Sequence, residues 1–261
     1  MTLILLVLLT FDPINKIGIM GAMDMELAFI KKDMQIEVTE AIAQRIFDIG
    51  TISGMECICV KAGIGKVNAA LTAEILIANY NVDAIIFTGV AGGINPLLGI
   101  GDIVVSEKVV HHDFGQVTPD EFIPWDTLGY RANEFLISIS VDAINNIKFD
   151  MVSKEIDKDG PRVLRARLGI IATGDQFIAS EEKRQWLEKI IHADCVEMEG
   201  AAVAQVCEIN RVPFVIIRSM SDLANEDADV DFKAFAPYAA KNSSLIVKKI
   251  IEFIKGLELQ K

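Results

Sequence analysis

Short apolar segments alternate with helix-forming segments along almost the whole chain after Pro13. Two of the apolar segments, VDAIIFTG (82–89) and GDIVVSEKVV (101–110), contain runs of apolar residues rather than a strict alternation with polar ones. Such runs are typical of strands in a sheet that is buried on both faces. The segments GKVNAALTAEILIANY (65–80) and EGAAVAQVCEIN (199–210) are amphipathic or Ala-rich, as helices covering such a sheet are.

No linker, change of composition or internal repeat divides the chain. We therefore predict a single α/β domain over residues 16–261, a three-layer α/β/α arrangement with a central mixed β-sheet flanked by helices. Hydrophobic residues make up 51% and charged residues 24% of the chain, which suits a globular protein with a sizeable core. Residues 114–135 are predicted to form a long loop and residues 153–163 a solvated turn.

The N-terminal residues 1–15 form an apolar extension that contains the ten-residue run TLILLVLLTF. This run is too short to span a membrane as a helix. Its length suits the apolar core of a signal segment, but no Lys or Arg precedes it and no A-x-A-like site follows. We expect an extra buried strand or helix and a cytoplasmic protein, with export as the alternative.

Charge and composition exclude several kinds of partner. The net charge of −12 argues against nucleic acid, because binding the phosphate backbone needs a basic face. A nucleoside carries no phosphate and is not excluded. The four cysteines form no C-x-x-C pair and only three histidines are present, so neither a disulfide scaffold nor a zinc site is indicated. No metal or organic cofactor is expected.

In α/β sheets, ligands bind at the carboxyl ends of the strands. Glycines and polar residues of this chain concentrate at such positions. We therefore expect one site built from five short segments: 21–23, 62–65, 88–93, 173–175 and 218–222.

Acidic residues in three of the motifs are candidates for chemistry. Glu197 and Glu199 in VEMEGAAVAQVC would lie on one face of an extended segment, or would simply cap the following helix. Asp222 follows the apolar strand FVII and Arg218, and it could hold or deliver a proton or form an ordinary turn. Glu26 follows the glycine turn of IGIMGAMDME and could also be a plain first-turn helix acid.

The glycine loops themselves are poor phosphate cradles. The segment IGIMGA lacks the G-x-G-x-x-G pattern, and AGIGKVNAA replaces its third glycine and fails as a P-loop. In TGDQFIASEEK, Phe177 could stack on a flat ring while neighbouring backbone groups read its edge, or it could be a core residue. Each motif alone is a weak signal.

Their combination is much more specific. The segments IGIMGAMDME, AGIGKV, TGVAGG with GDIVVS, TGDQFI, VEMEGAAVAQVC and PFVIIRSMSD, in this order and spacing, resemble the 5′-methylthioadenosine/S-adenosylhomocysteine nucleosidases of the purine nucleoside phosphorylase-like family. The resemblance runs from about Lys16 into the C-terminal helix. It implies hydrolysis of the N-ribosidic bond of the two nucleosides, with release of adenine and the 5′-thio-ribose product.

The resemblance also implies roles for individual residues. Glu26 would be the general base that activates water, and Asp222 the general acid that protonates adenine N7. Glu199 would hydrogen-bond the ribose hydroxyls. The other implied substrate-binding residues are Met198 beside the sugar, Glu197 in the same motif, Phe177 stacked on adenine, Ile178 at the adenine edge, Ser221 orienting Asp222, Arg218 on the ribose side, Met23 and Ile64 at the thioalkyl and sugar pocket, and Ala91 and Gly92 beneath the base and sugar.

Physical chemistry agrees with this division of roles. Breaking the bond passes through a cation-like sugar that a nearby carboxylate stabilises, and adenine leaves readily only when N7 is protonated. The logic parallels that of inverting glycosidases, with an acid at the leaving group and a base at the water.

The nucleophile is expected to be water. Related phosphorylases hold phosphate with arginines near the first glycine loop and before the central small-residue turn, whereas GAMDME and AIIFT contain none. A phosphate dianion would also meet Glu26 unshielded. A purine or uridine phosphorylase and a non-catalytic nucleoside-binding or surface protein are the alternatives. Val90 replaces a serine found in many relatives, so aminodeoxyfutalosine stays open as a substrate.

The segment 114–130 is also assigned by resemblance. In the family this region packs across a homodimer interface and caps the partner's 5′-thio pocket. The candidates for this contact are Phe114, Phe122, Pro124 and Trp125; the alternative is a surface loop packed on its own chain.

Overall fold

A mixed sheet of ten strands forms the centre of the structure, a computed structural model that describes residues 13–126, 128–157 and 160–258. The apolar run at residues 2–11, for which an extra buried strand or helix is expected and a signal segment is the alternative, lies outside the described residues. The strands of the sheet are β1 (Lys16–Gly21), β2 (Gln35–Ile42), β3 (Arg45–Ile52), β4 (Met55–Lys61), β5 (Ala84–Gly93), β6 (Ile103–His111), β9 (Tyr130–Arg131), β10 (Ala166–Thr173), β11 (Cys195–Glu197) and β12 (Phe214–Asp222); β7 (Gly115–Val117) and β8 (Phe122–Pro124) form a separate hairpin.

The strand order in the sheet is β11-β10-β6-β12-β5-β1-β4-β3-β2, with β9 paired to β6. Strands β1, β4, β5 and β12 pair in parallel, as do β6, β10 and β11, whereas β12 and β6 are antiparallel. Strand β11 also pairs antiparallel with β5, Cys195 lying opposite Gly93. This extra pairing closes β5, β12, β6, β10 and β11 into a ring and brings the ends of β5, β10, β11 and β12 together.

Helices cover both faces of the sheet, which confirms the predicted three-layer α/β/α architecture. On one face α2 and α5 pack over side chains such as Met20, Phe87 and Ile216. On the other face α1, α3 and α6 pack over Ile86 and Val215. The helices are α1 (Asp24–Asp33), α2 (Lys66–Tyr80), α3 (Glu134–Asn145), α4 (Glu181–Trp186), which continues as a π-helical turn (Leu187–Ile191), α5 (Gly200–Asn210) and α6 (Ala228–Glu258).

Two features of the fold differ from the sequence prediction. The segment 35–42 forms an exposed edge strand that the hydrophobic pattern did not indicate. The predicted loop 114–135 contains the β7–β8 hairpin, strand β9 and the start of α3. All four cysteines are free and buried. None of the helices in the described part of the chain has a stretch long and apolar enough to cross a membrane.

Helix α6 closes the sheet face opposite α2 and α5, and its packing should dominate stability there. Ile250 is fully buried, so Ile250→Ala leaves a cavity and should lower the free energy of unfolding by about 2–5 kcal/mol. Leu257→Ala, on the same helix but with 44% of the residue exposed, should change it by less than about 1 kcal/mol. Urea unfolding followed by circular dichroism measures both, and equal losses would contradict this account of the packing.

Candidate active site

One cleft lies at the carboxyl ends of β1, β5, β10, β11 and β12, with about 580 Å³ of free space, part of it open to solvent. A cleft of this size suits a small organic ligand. Every predicted site residue lines it except Arg218, which lies beneath the cleft floor. The lining consists of Ala22, Met23, Glu26, Ile64, Val90, Ala91, Gly92, Gln176, Phe177, Ile178, Val196, Glu197, Met198, Glu199, Ser221, Asp222 and Phe232.

Glu26 is held at one wall of the cleft by backbone donors. The helix α1 begins after Met23, and the Met23 N–H donates to Glu26 Oε2 at 2.8 Å while the Val90 N–H donates to Oε1 at 3.0 Å. Gly89 allows this approach, because a Cβ there would collide with Glu26 Oε1 and Arg218 Nη1. Burial raises the pKa of the Glu26 carboxyl, and Arg218 and these hydrogen bonds offset the rise only in part.

Asp222 lies at another wall, at the end of β12. A bulge precedes it: Met220 and Asp222 pair with consecutive residues of β5, so Ser221 is an extra residue. The Ser221 hydroxyl donates to Asp222 Oδ2 at 2.8 Å, and the Ala224 N–H donates to Oδ1 at 2.9 Å. Burial raises the pKa of Asp222, with these two donors acting in the opposite direction. A Cβ at Gly92 would lie 2.8 Å from Oδ1, so Gly92 leaves room for the carboxyl.

Arg218 is a buried cation beneath the cleft. It is 1% exposed, its guanidinium carbon lies 4.2 Å from the centre of the Phe87 ring, and Nη2 binds Glu197 Oε2 and lies 3.7 Å from Glu199 Oε2. The two carboxylates therefore share one cation. The sequence analysis predicted either two carboxylates on one face of an extended segment or acids that cap the following helix. In the structure only Glu197 belongs to the strand, because β11 ends there and Glu199 is the N-cap of α5.

Both carboxylate oxygens of Glu197 already accept hydrogen bonds from the protein. Besides Arg218, its oxygens accept the Thr173 hydroxyl and the N–H groups of Glu199 and Gly200, at 3.1 Å and 2.8 Å. Glu199 has fewer partners: its Oε1 accepts the Gly65 N–H at 2.8 Å. Burial, and then the neighbouring charge of Glu197, raises the pKa of Glu199 to about 8. Glu199 is thus the acid of this pair with capacity left for a ligand.

Apolar side chains form the remaining wall. Phe177 is 49% exposed, and its ring meets the edge of Phe232 with 5.8 Å between centroids, while Ile178 is buried. Phe232 lies in α6, and sequence reasoning missed it because no motif surrounds it. Gln176 lies within the motif TGDQFI, but the sequence analysis assigned a role only to the neighbouring Phe177 and Ile178. The described residues contain no group of three or more His, Cys, Asp or Glu side chains that could hold a metal ion.

The arrangement can transfer protons across a flat ligand. Glu26 comes from the first turn of α1 and Asp222 from the end of β12; both are buried, and burial raises the pKa of each. A raised pKa makes a carboxyl group better able to hold or take a proton, as acid and base groups of active sites do. Glu199 lines the same cleft and can accept hydrogen bonds from hydroxyl groups.

Comparison with known proteins establishes the family to which the chain belongs. The family model of the phosphorylase superfamily matches residues 16–252. A 5′-methylthioadenosine/S-adenosylhomocysteine nucleosidase of Bacillus velezensis is 38% identical over 245 residues, which cover 92% of this chain and 99% of the relative. The chain therefore belongs to the phosphorylase superfamily, and within it to the family of the 5′-methylthioadenosine/S-adenosylhomocysteine nucleosidases.

Solved structures show the same likeness. A nucleosidase of this family from Neisseria meningitidis, solved with methylthio-immucillin-A, has a TM-score of 0.78 and 30% identity, covering 92% of this chain and 99% of the other. A futalosine hydrolase of Helicobacter pylori has a TM-score of 0.79 and 32% identity, covering 92% of this chain and 98% of the other.

The raised pKa of Glu199 predicts a pH-dependent cost to stability. Between about pH 4.5 and pH 8 the folded state retains a proton that the unfolded chain has released, so stability falls as the pH rises. Glu199→Gln removes this titration. Its melting temperature relative to wild type should therefore increase from about pH 5 to about pH 8. Glu37→Gln on the exposed strand β2 controls for loss of one charge, and parallel curves for Glu199→Gln and wild type would contradict the prediction.

Proposed function

We propose that this chain hydrolyses the N-ribosidic bond of 5′-methylthioadenosine and S-adenosylhomocysteine, releasing adenine and the 5′-thio-ribose product. The observation that carries the proposal is the placement of two buried carboxyl groups with raised pKa values, Glu26 and Asp222, on different walls of one cleft. The relatives with the same fold carry this activity in their names.

Asp222 is proposed as the general acid. Its raised pKa keeps the proton available, and the proton passes to adenine N7, which turns the base into a good leaving group. The hydroxyl of Ser221 and the Ala224 N–H fix the carboxyl. Gly92 and Ala91 leave space for the base beside it, Phe177 stacks on adenine, and Ile178 presents backbone groups to its edge.

Glu26 is proposed as the general base on the other side of the sugar. It takes a proton from water as the water attacks the anomeric carbon. Glu199 accepts hydrogen bonds from the ribose hydroxyls and stabilises the cation-like sugar. Arg218 and Glu197 hold Glu199 in place, and Met23, Ile64 and Met198 contact the sugar and the thioalkyl group.

Water is the proposed nucleophile because the described lining of the cleft contains no cationic side chain that could bind phosphate. No Lys or Arg is among the residues described as lining it, and Arg218 beneath it is bound to Glu197. The likeness to futalosine hydrolase and the apolar Val90 at the base keep aminodeoxyfutalosine as a second candidate substrate. Parallel assays with the three nucleosides decide between them.

Asp222→Asn tests the central step. The amide keeps the shape but cannot supply the proton, so adenine release from 5′-methylthioadenosine in phosphate-free buffer should fall about 10²- to 10⁴-fold in kcat. Asp229→Asn, at an exposed position paired with Lys233, should keep wild-type activity. Release by the wild type only after phosphate is added would overturn hydrolysis, and an active Asp222→Asn would overturn the assigned acid.

We further propose a homodimer, with the segment 114–130 near the partner's cleft. A groove between α2 and α5, with about 1080 Å³ of free space that is partly open to solvent, has exposed apolar residues along it, including Val67 at 80% and Ile209 at 72% exposure. Phe114 and Trp125 are also exposed there and meet edge to face. Phe122 instead packs on Trp186 of its own chain, so part of the segment is self-packed.

Ile209→Asp places a charge in this face and should convert the dimer to monomers, because a buried unpaired carboxylate is costly. Sedimentation velocity measures the change. Val163→Asp changes an equally exposed apolar residue elsewhere and should leave the oligomeric state unaltered. A monomeric wild type would refute the proposal.

The proposed catalytic domain comprises residues 16–261, with residues 1–15 as an extension. The cytoplasm is the proposed location, and export is the alternative if the run at residues 2–11 acts as a signal.

A further inference from the structure

Three charged residues outside the reaction centre close a ring of hydrogen bonds between two walls of the cleft. Lys66 Nζ donates to Asp113 Oδ1 at 2.6 Å, and the Asp175 N–H donates to Asp113 Oδ2 at 2.8 Å. The Lys66 N–H donates in turn to Asp175 Oδ1 at 2.8 Å. We call Lys66, Asp113 and Asp175 the loop clamp, because each residue comes from a different loop or helix start.

The first wall is the loop before α2. Gly65 directly precedes Lys66, and its N–H is the donor to Glu199 Oε1. Its φ of +96° favours glycine, and a Cβ there would lie 3.1 Å from Asp175 Oδ1. The position of the Gly65 N–H is therefore set by Lys66 and Asp175 on one side and by Glu199 on the other.

The second wall is the loop that carries Phe177. Asp175 precedes Phe177 by two residues, and a Cβ on Gly174 would collide with the ring of His112. His112 is fully buried, and burial lowers its pKa to about 4, so the neutral ring packs beneath this loop. Asp113 directly follows His112, and so the end of β6 supports both walls at once.

The strength of the clamp follows from its chemistry. The side chains of Lys66 and Asp113 are 22% and 16% exposed, so solvent screens this ion pair less than a surface pair. Hydrogen bonds between ionised groups are among the stronger ones in proteins. Removing the Asp113 side chain breaks two of the three bonds, and the Lys66 N–H to Asp175 Oδ1 bond is then left to hold the two loops together without the support of β6.

We propose that Asp113 is a positioning residue for the reaction: by joining Lys66 to the Asp175 backbone, it keeps the Gly65 N–H on Glu199 and keeps Phe177 in place over the base. This inference rests on the proposed ribose-binding role of Glu199. Asp113 is not among the residues that line the cleft, and its effect passes through the two loops.

Asp113→Ala should lower kcat/KM for 5′-methylthioadenosine about 10- to 100-fold, the scale of a small misplacement of reacting groups. The Gly65 hydrogen bond lowers the pKa of Glu199, so its loss should raise the pH at which kcat/KM declines on the acid side. Substitution of a residue needed only for folding would not shift the pH of this acid-side decline. The other titratable groups that face Glu199 or Asp113 are unchanged in the variant: Glu26, Glu197 and Arg218 around the first, and Lys66, Lys183, His111 and His112 around the second.

Variants of Lys66 provide the second line of evidence. Lys66→Met keeps the aliphatic stem but removes the charge, and it should shift the acid-side decline of kcat/KM in the same direction as Asp113→Ala. The double variant Lys66→Met with Asp113→Ala should lower kcat/KM no further than the more damaging single variant does. Lys66→Arg retains a cation and should restore most of the activity. Asp33→Ala, which breaks a 2.8 Å ion pair with Lys248 far from the cleft, is the matched control.

The outcomes separate the clamp from the proposed function. An inactive Glu199→Gln together with a folded Asp113→Ala of wild-type activity and pH profile would overturn the clamp. A fully active Glu199→Gln would overturn the ribose role on which the clamp rests. Thermal melting establishes folding, and if Asp113→Ala does not fold, wild-type kinetics of Lys66→Met would overturn the clamp instead.

Discussion

The site depends on one buried ion pair. Arg218 lies beneath the cleft with its guanidinium on the Phe87 ring and its charge on Glu197. Desolvating two such groups is costly, and removing either partner from a buried pair typically costs about 3–5 kcal/mol. Additional hydrogen bonds to Glu197 offset part of this desolvation cost, because its carboxylate also accepts the Gly200 N–H at the start of α5 and the Thr173 hydroxyl. Three strands and a helix are thereby joined at one point, and Glu199 takes its position from that point.

The same low-polarity surroundings that make this pair costly give the site its proton chemistry. Burial raises the pKa values of Glu26, Glu199 and Asp222 together, and for each one the protein supplies backbone donors that limit the rise. The three groups proposed as acid, base and ribose acceptor thus share one buried environment and differ in their hydrogen-bond partners. Gly89 and Gly92 matter for the same reason, because they let two of these carboxyls approach the β5 backbone.

Much of the fold and the cleft could be predicted because apolar runs and strand-end motifs are local signals. The α/β/α class follows from strands such as 84–87, and the site residues follow from segments that end at one edge of the sheet. Strand β2 was missed because it is exposed along its length and shows no buried face. Phe232 was missed because α6 brings it to the cleft from outside any motif, and the loop clamp because it joins residues 47 and 62 positions apart.

The bulge in β12 makes strand length a stricter constraint on this protein than side-chain identity. Without the bulge, regular alternation would place the side chains of Ser221 and Asp222 on opposite faces of the sheet. The Ser221 hydroxyl could then no longer donate to the Asp222 carboxyl. Relatives that diverge in specificity can therefore exchange residues around the cleft, such as Val90, far more freely than they can gain or lose a residue between Met220 and Asp222. Insertions should accumulate instead in exposed turns remote from this strand, for example at residues 43–44 between β2 and β3.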